Sequence, residues 1–347
     1  MNILDTVGHA PAAKHVLRFL SRTDIASIEG DHSGLYMQAV EEGFRLHAAR
    51  EYAQPLKPYL RSPRSNHIAD RIIAMPAWIG GEDPIAGLKW IGSKHDNPTA
   101  RSLERASAVI VLNDDRTHFP IAILEAGRIS ALRTAAVTGV ACRYLAKRDF
   151  QSVAIIGCGP IGRTQIQMFC EQFSHVRQIR IYDVVAANLD KGASWAQATF
   201  PDVEFVRFES PRAAIDGAHV VVTCTVTDRP YLPFEWLSPG TFLANVSIMD
   251  VEKEVFLRAD KVVVDDWDQC NREKKIVNQL VEEGSFSRRQ LHAELGEIVV
   301  GSRPGRESDD EIILLNPMGM AIDDIVCARA ILRCAEAEGV GAMLDLF

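Results

Sequence analysis

Residues 152–163, SVAIIGCGPIGR, decide the fold. A short apolar run breaks there into three glycines, Gly157, Gly159 and Gly162, spaced G-x-G-x-x-G. The run before them reads as a buried strand and the stretch after them, RTQIQMFCEQF, as a helix. A second apolar run, IRIYD (179–183), ends in an acid, Asp183. In that setting each glycine has a physical task. The first allows a tight turn, the second lets a pyrophosphate approach the backbone, and the third lets the helix pack closely on the strand. Pro160 and Ile161 open the helix, whose free amides and positive end favour a phosphate. Asp183 suits the hydroxyls of an adenosine ribose and repels a 2′-phosphate, so the expected cofactor is NAD rather than NADP. The competing reading is a strand–turn–helix that holds no phosphate, with Asp183 a solvated strand end.

Outward from this motif the texture is regular. VEFVRF (203–208), HVVVTCT (219–225), TFLANVS (241–247) and KVVVDD (261–266) are short, β-branched and almost uniformly apolar, with helix-like stretches between most of them. That is the pattern of a parallel sheet buried on both faces. Before the motif the runs LKPYLRS (56–62), RIIAMPAWIG (71–80), GLKWIGSK (87–94), SAVIVLND (107–114) and FPIAILEAG (119–127) follow one another closely, which predicts a mixed or antiparallel sheet. An alanine-rich helix over 128–145 comes next. The tail EIILLNPMGMAIDDIVCARAILRCAEAEG predicts one more strand and a long amphipathic helix that returns to the first unit. The fold class is therefore α/β, a Rossmann-type doubly wound parallel sheet plus a discontinuous α+β substrate domain. The expected boundaries are 1–131 with 317–347 for the substrate domain and 132–316 for the NAD-binding domain.

The 347 residues are 47% hydrophobic and carry a net charge of −8, which excludes general affinity for nucleic acid or an anionic membrane. No apolar run approaches the roughly 20 residues of a membrane helix, and the first residues carry no secretion signal. Seven scattered cysteines form no C-x-x-C, and the ten histidines show no metal-ligand spacing. A cytoplasmic protein without a metal site is expected.

Several polar groups stand in unexpectedly apolar surroundings. Lys89, in GLKWI, would be desolvated and so suited to proton transfer, unless it is an edge lysine facing water. KWIGSKHDNPTARSLERAS adds Lys94, Arg101 and Arg105. Lys57 and Arg61, four apart, read either as a two-pronged carboxylate clamp on one strand or as a solvated stripe. Arg133, in ISALRTAA with Thr134, calls for an anionic ligand or for an internal partner such as Glu125. At the carboxyl ends of two parallel strands, Thr225 and Val226 should border the adenosine, and Ser247 and Asp250 the nicotinamide. Asp250 would balance the cations and bind a substrate amine, with Lys89 as its acid/base partner. The parts together suit hydride transfer between NAD and a small anionic, amino-acid-like substrate.

Met75-Pro76 followed by Lys89, LRTAA (132–136), IIGCGPIG, and the late G-x-A-x-x-D of Gly319, Ala321 and Asp324 resemble the ornithine cyclodeaminase/μ-crystallin family. Longer strings, among them KWIGSKHDNP, SIMDVEKEVF and VVVDDWDQCNREKK, resemble one subfamily, the N-((2S)-2-amino-2-carboxyethyl)-L-glutamate dehydrogenases of staphyloferrin B-type siderophore pathways. The resemblance implies a homodimer formed through the substrate domain, and NAD-dependent cleavage of that compound to L-2,3-diaminopropionate and 2-oxoglutarate. It also implies a pyridoxal-phosphate synthase upstream. Met75, Lys89 and Arg133 become substrate contacts, and Met318 and Gly319 cofactor contacts. SIMDVEKE departs from the cyclodeaminase pattern around the position of Asp250, which weighs against cyclodeamination. The alternatives are an ornithine cyclodeaminase or an alanine or imino-acid dehydrogenase on the same scaffold, and a non-catalytic μ-crystallin-like NAD(P)-binding protein.

Overall fold

Strand pairing sorts the described residues into two eight-stranded sheets. The computed structural model describes residues 15–346 apart from 29, 66, 68, 248 and 274. The first 14 residues of the expected substrate domain, on which the expectation about a secretion signal falls, lie outside them.

The first sheet runs in the order Ala342–Asp345, Val16–Leu20, Pro120–Glu125, Ala106–Asp114, Ile85–Ser93 and Arg71–Ile79; two short strands, Tyr52–Ala53 and Tyr59–Leu60, share the last edge. Val16–Leu20 and Pro120–Glu125 are parallel and every other pair is antiparallel, so the sheet is mixed. Its long strands alternate sides: Ala108, Ile110 and Leu112 are buried, while Val109 between them is exposed. The inward face is covered by Gly127–Leu145 and Ala321–Glu338, on which Ser33–Ala49 packs in turn, so the last helix and the last strand described both belong to this half.

LKPYLRS is a strand only at Tyr59–Leu60. Pro55 and Pro58 bring no N–H to a ladder, and the segment before Tyr59 has no regular pairing.

The second sheet has the order Glu204–Arg207, Gln178–Tyr182, Ser152–Ile156, Val220–Thr223, Phe242–Asn245, Ile313–Leu315, Lys261–Val264 and Ala293–Glu294, all parallel. Successive residues of a strand feed two different cores. Val153 and Ile155 join the core that runs on into the first half, while Ala154 and Ile156 join a separate one on the opposite face. Burial on both faces explains why these strands read as apolar runs rather than alternations. Gly127–Leu145 carries the chain from the first half to Ser152–Ile156, and the stretch after Leu315 carries it back. The carboxyl ends of Ser152–Ile156, Val220–Thr223 and Phe242–Asn245 open on a cleft between the halves, on either side of the point where strand order reverses.

Candidate active site between the two sheets

The glycine turn is built for close approach. Gly157 has φ +104°, and a Cβ there would lie 2.8 Å from the Cys224 carbonyl oxygen. A Cβ on Gly162 would lie 1.9 Å from the Gly157 carbonyl oxygen, so the helix Pro160–Gln172 sits directly against the turn. Around Gly159, by contrast, no atom lies within 4 Å of such a Cβ. The helix starts on a proline with no side-chain cap, leaving its first amides free for an anion. Asp183 accepts from the amides of Cys158 and Val185, both at 2.8 Å, and so ties the turn to the next loop. A carboxylate has about four lone-pair sites, which leaves acceptor capacity for a ribose diol. The residues fit a dinucleotide.

From this turn a cleft of about 390 Å³ extends towards the first sheet. Its walls include the expected cofactor residues Arg133, Thr134, Gly159, Pro160, Ile161, Thr225, Val226, Ser247, Met318 and Gly319, together with Lys57. Lys57 is 3% exposed, and its Nζ donates to the carbonyls of Gly319 (2.6 Å) and Met318 (3.2 Å). Arg61 instead pairs with Glu273 at 3.3 Å near the surface. The two cations therefore do not form a clamp, because the continuous strand assumed for them does not exist. Gly319 is at φ +73°, and a Cβ there would strike the Arg133 guanidinium at 2.3 Å. Asp265 fixes the same turn by accepting from the Met318 and Gly319 amides at 2.8 and 2.6 Å.

Lys89 lies beneath this cleft. It is 1% exposed, directly across the ladder from Met75 and Ile110. Its Nζ is 2.6 Å from Asp324 Oδ2 and donates to Ser130 Oγ at 3.2 Å. The other oxygen of Asp324 accepts from Arg133 Nε at 3.0 Å, and Asp323 stands 3.9 Å from Arg133 Nη1. Burial draws the Lys89 ammonium down to about 7, Asp324 resisting and the Arg133 charge assisting. Burial likewise pushes Asp323 up to about 7.

Two expected pairings are thus corrected. Lys89 is partnered by Asp324, not Asp250, and Arg133 by Asp324, whereas Glu125 pairs with Arg22. Asp250 is fully buried and accepts from Thr225 Oγ1 (2.7 Å), the Tyr231 hydroxyl (3.0 Å) and, in a short contact, Ser247 Oγ. Burial raises its pKa against those three donors. Its evident task is to hold together the two loops that carry Thr225 and Ser247.

Asp324 entered the sequence reading only as part of a motif, and Arg71, which lines the cleft, not at all. The detectable signal for Asp324 was an acid within an apolar helix, where a buried carboxylate requires a cation. His67, Asp70 and His95 also come together, with the imidazoles stacked at 3.9 Å. Sequence spacing does not reveal this cluster. Asp70 is already engaged there by Lys94 at 2.5 Å, Ser65, and both the amide and Nδ1 of His95.

The sequence model of the ornithine cyclodeaminase/mu-crystallin family matches residues 19–338. The chain belongs to this family. A family member from Staphylococcus aureus (strain NCTC 8325 / PS 47), named N-((2S)-2-amino-2-carboxyethyl)-L-glutamate dehydrogenase, is 54% identical over 330 residues, covering 95% of this chain and 98% of that protein. Among solved structures, the Thermococcus litoralis Δ1-pyrroline-2-carboxylate reductase, in complex with NADH and L-proline, superposes with a TM-score of 0.87 at 28% identity, covering 94% of this chain and 99% of that one. An archaeal alanine dehydrogenase dimer with bound NAD gives 0.84 at 29% identity, covering 96% and 100%. Both of these solved structures therefore share the fold across nearly the whole of this chain.

Proposed function

We propose that the protein is an NAD-dependent oxidoreductase that cleaves N-((2S)-2-amino-2-carboxyethyl)-L-glutamate to L-2,3-diaminopropionate and 2-oxoglutarate. The observation that carries this reading is one cleft holding an uncapped glycine-turn helix beside Lys57 and Arg133, with the buried Lys89 behind Arg133. The identity to the staphylococcal dehydrogenase and the NAD or NADH in the two superposed structures support it.

Gly157, Gly159, Gly162, Pro160 and Ile161 hold the pyrophosphate, and Asp183, Thr225 and Val226 the adenosine end. Ser247, Met318 and Gly319 border the nicotinamide. NAD supplies a hydride acceptor. Lys57 and Arg133 bind the carboxylate on the glutamate α-carbon, beside Met75. Lys89, neutral at slightly alkaline pH, takes the proton released as the secondary amine becomes an imine, and Asp324 holds Lys89 and Arg133 in register. Water then adds to the imine carbon, and the C–N bond breaks to give the ketone of 2-oxoglutarate and the free amine. Asp250 contributes by fixing Thr225 and Ser247.

The outer face of the first sheet favours a homodimer. Trp90 and Val109 are paired across the ladder on the side opposite Lys89, and they are 43% and 40% exposed. All seven cysteines are free, which suits a reducing cytoplasm, and no helix among the described residues is long and apolar enough to cross a membrane. The likeness to the staphylococcal dehydrogenase is what implies a pyridoxal-phosphate synthase upstream and a siderophore or peptide product downstream.

The test is a substrate panel with NAD, following NADH. The reading predicts turnover of the carboxyethyl-glutamate in large excess over alanine, proline and ornithine. Preference for alanine or proline, or ornithine converted to proline and ammonia, would replace it.

A further inference from the structure

The cleft has a second group of cations beyond Lys57 and Arg133. Arg71 begins the strand Arg71–Ile79, Arg105 immediately precedes Ala106–Asp114, and both line the cleft together with Tyr59 and Ile73. Neither has a carboxylate within ion-pair distance among the described residues. Arg71 lies over the Tyr59 ring at 5.3 Å, and its Nε is buried without a hydrogen-bond partner. Arg105 donates from Nη1 to Ser93 Oγ at 3.1 Å.

Cations outnumber acids in their surroundings as well. Lys57 rests on two carbonyl oxygens, and the buried Lys275 has its Nζ against Met318 Sδ at 2.8 Å. The nearby acid, Glu273, is taken by Arg61 and Arg272 at the margin. Both arginines are drawn below their usual range by burial, Arg105 further by the charge of Arg71. Two half-buried guanidiniums that repel each other are well placed to gain from an anion that joins them. Guanidiniums recognise carboxylates through paired N–H donors.

We infer that Arg71 and Arg105 form a separate carboxylate subsite, which holds a carboxylate of the substrate remote from the carbon that is oxidised. The inference rests on the reading of the substrate as a tricarboxylate. Lys57 and Arg133 hold the carboxylate at the reacting carbon, and Arg71 and Arg105 select substrates long enough to place another beyond Tyr59. A short amino acid such as alanine reaches the first group of cations only, so the subsite sets specificity.

The test compares the full substrate with two truncated ones: N-(2-aminoethyl)-L-glutamate, lacking the diaminopropionate carboxylate, and N-(2-amino-2-carboxyethyl)-L-2-aminobutyrate, lacking the γ-carboxylate. Wild-type holoenzyme is measured beside Arg71→Met, Arg105→Met and the two Arg→Lys variants. For one of the truncated substrates, each Arg→Met change should lower the ratio of kcat/KM, full over truncated, by about 10- to 100-fold, mainly through KM. The Lys variants should recover part of the ratio. If a Met variant is misfolded by its melting curve, the Lys variant supplies the ratio. Unchanged ratios for both truncated substrates would overturn the subsite while leaving the dehydrogenase reading intact. Failure of the wild type to oxidise the full substrate would overturn that reading itself, and the subsite with it.

Discussion

Lys89 is the residue on which the proposed chemistry turns. Its ammonium is drawn to about 7 by burial, so it is neutral above that pH and protonated below it. A group that must accept a proton works only in its neutral form. The kcat/KM for amine oxidation should therefore rise with pH and level off above about 7, as a pH–rate profile would show. Lys89→Met should remove that rising limb and lower kcat by about 10²–10⁴-fold. Asp324 raises the Lys89 pKa, so Asp324→Asn should move the limb to lower pH. Asp323 is itself pushed to about 7, and Asp323→Asn is the control: the limb should remain if Lys89 is the base. These residues were unequally legible. Lys89 and Arg133 stand out because a cation in an apolar strand or helix needs a reason. Their shared partner Asp324 is on the last helix, and no local pattern links it to either.

At the scale of single elements, the strand–turn–helix at 152–172 makes separable predictions for its glycines. Gly162→Ala puts a methyl against the Gly157 carbonyl, 1.9 Å away, and the helix must move. A loss of about 1–3 kcal/mol in stability is expected from the melting curve, together with loss of NADH affinity by fluorescence titration. Gly159→Ala meets no protein atom. It should leave the melting temperature close to wild type and still weaken NADH binding, because its methyl occupies the side open to the pyrophosphate. Equal affinity in Gly159→Ala would contradict the cradle. This element was readable in the sequence since glycine spacing, strand and helix all agree over a few residues. LKPYLRS is the complementary case: Pro58, with Pro55 just before the stretch, removes donors that a ladder needs, and Lys57 and Arg61 part company.

Across the whole molecule, the two sheets meet through one continuous core, and the cleft between them collects residues from both. The parallel half was legible because burial on both faces leaves uniformly apolar runs. Which cations of the first half face the cleft was not, because Arg71 and Arg105 stand at strand ends, where exposed arginines are common. The outer face of the first sheet carries the remaining prediction at this scale. Trp90→Lys with Val109→Glu should convert a dimer to monomers by light scattering if that face is the subunit interface; an unchanged mass would place the interface elsewhere.

In the proposed reaction the hydride leaves the glutamate α-carbon and the C–N bond is then hydrolysed. The direct measurement uses N-((2S)-2-amino-2-carboxyethyl)-L-glutamate deuterated at that carbon, with NAD, and mass analysis of every product. The proposed reaction requires deuterium in NADH, with one 2-oxoglutarate and one diaminopropionate formed for each NADH. Unlabelled NADH, or NADH formed without cleavage into those two products, would contradict it.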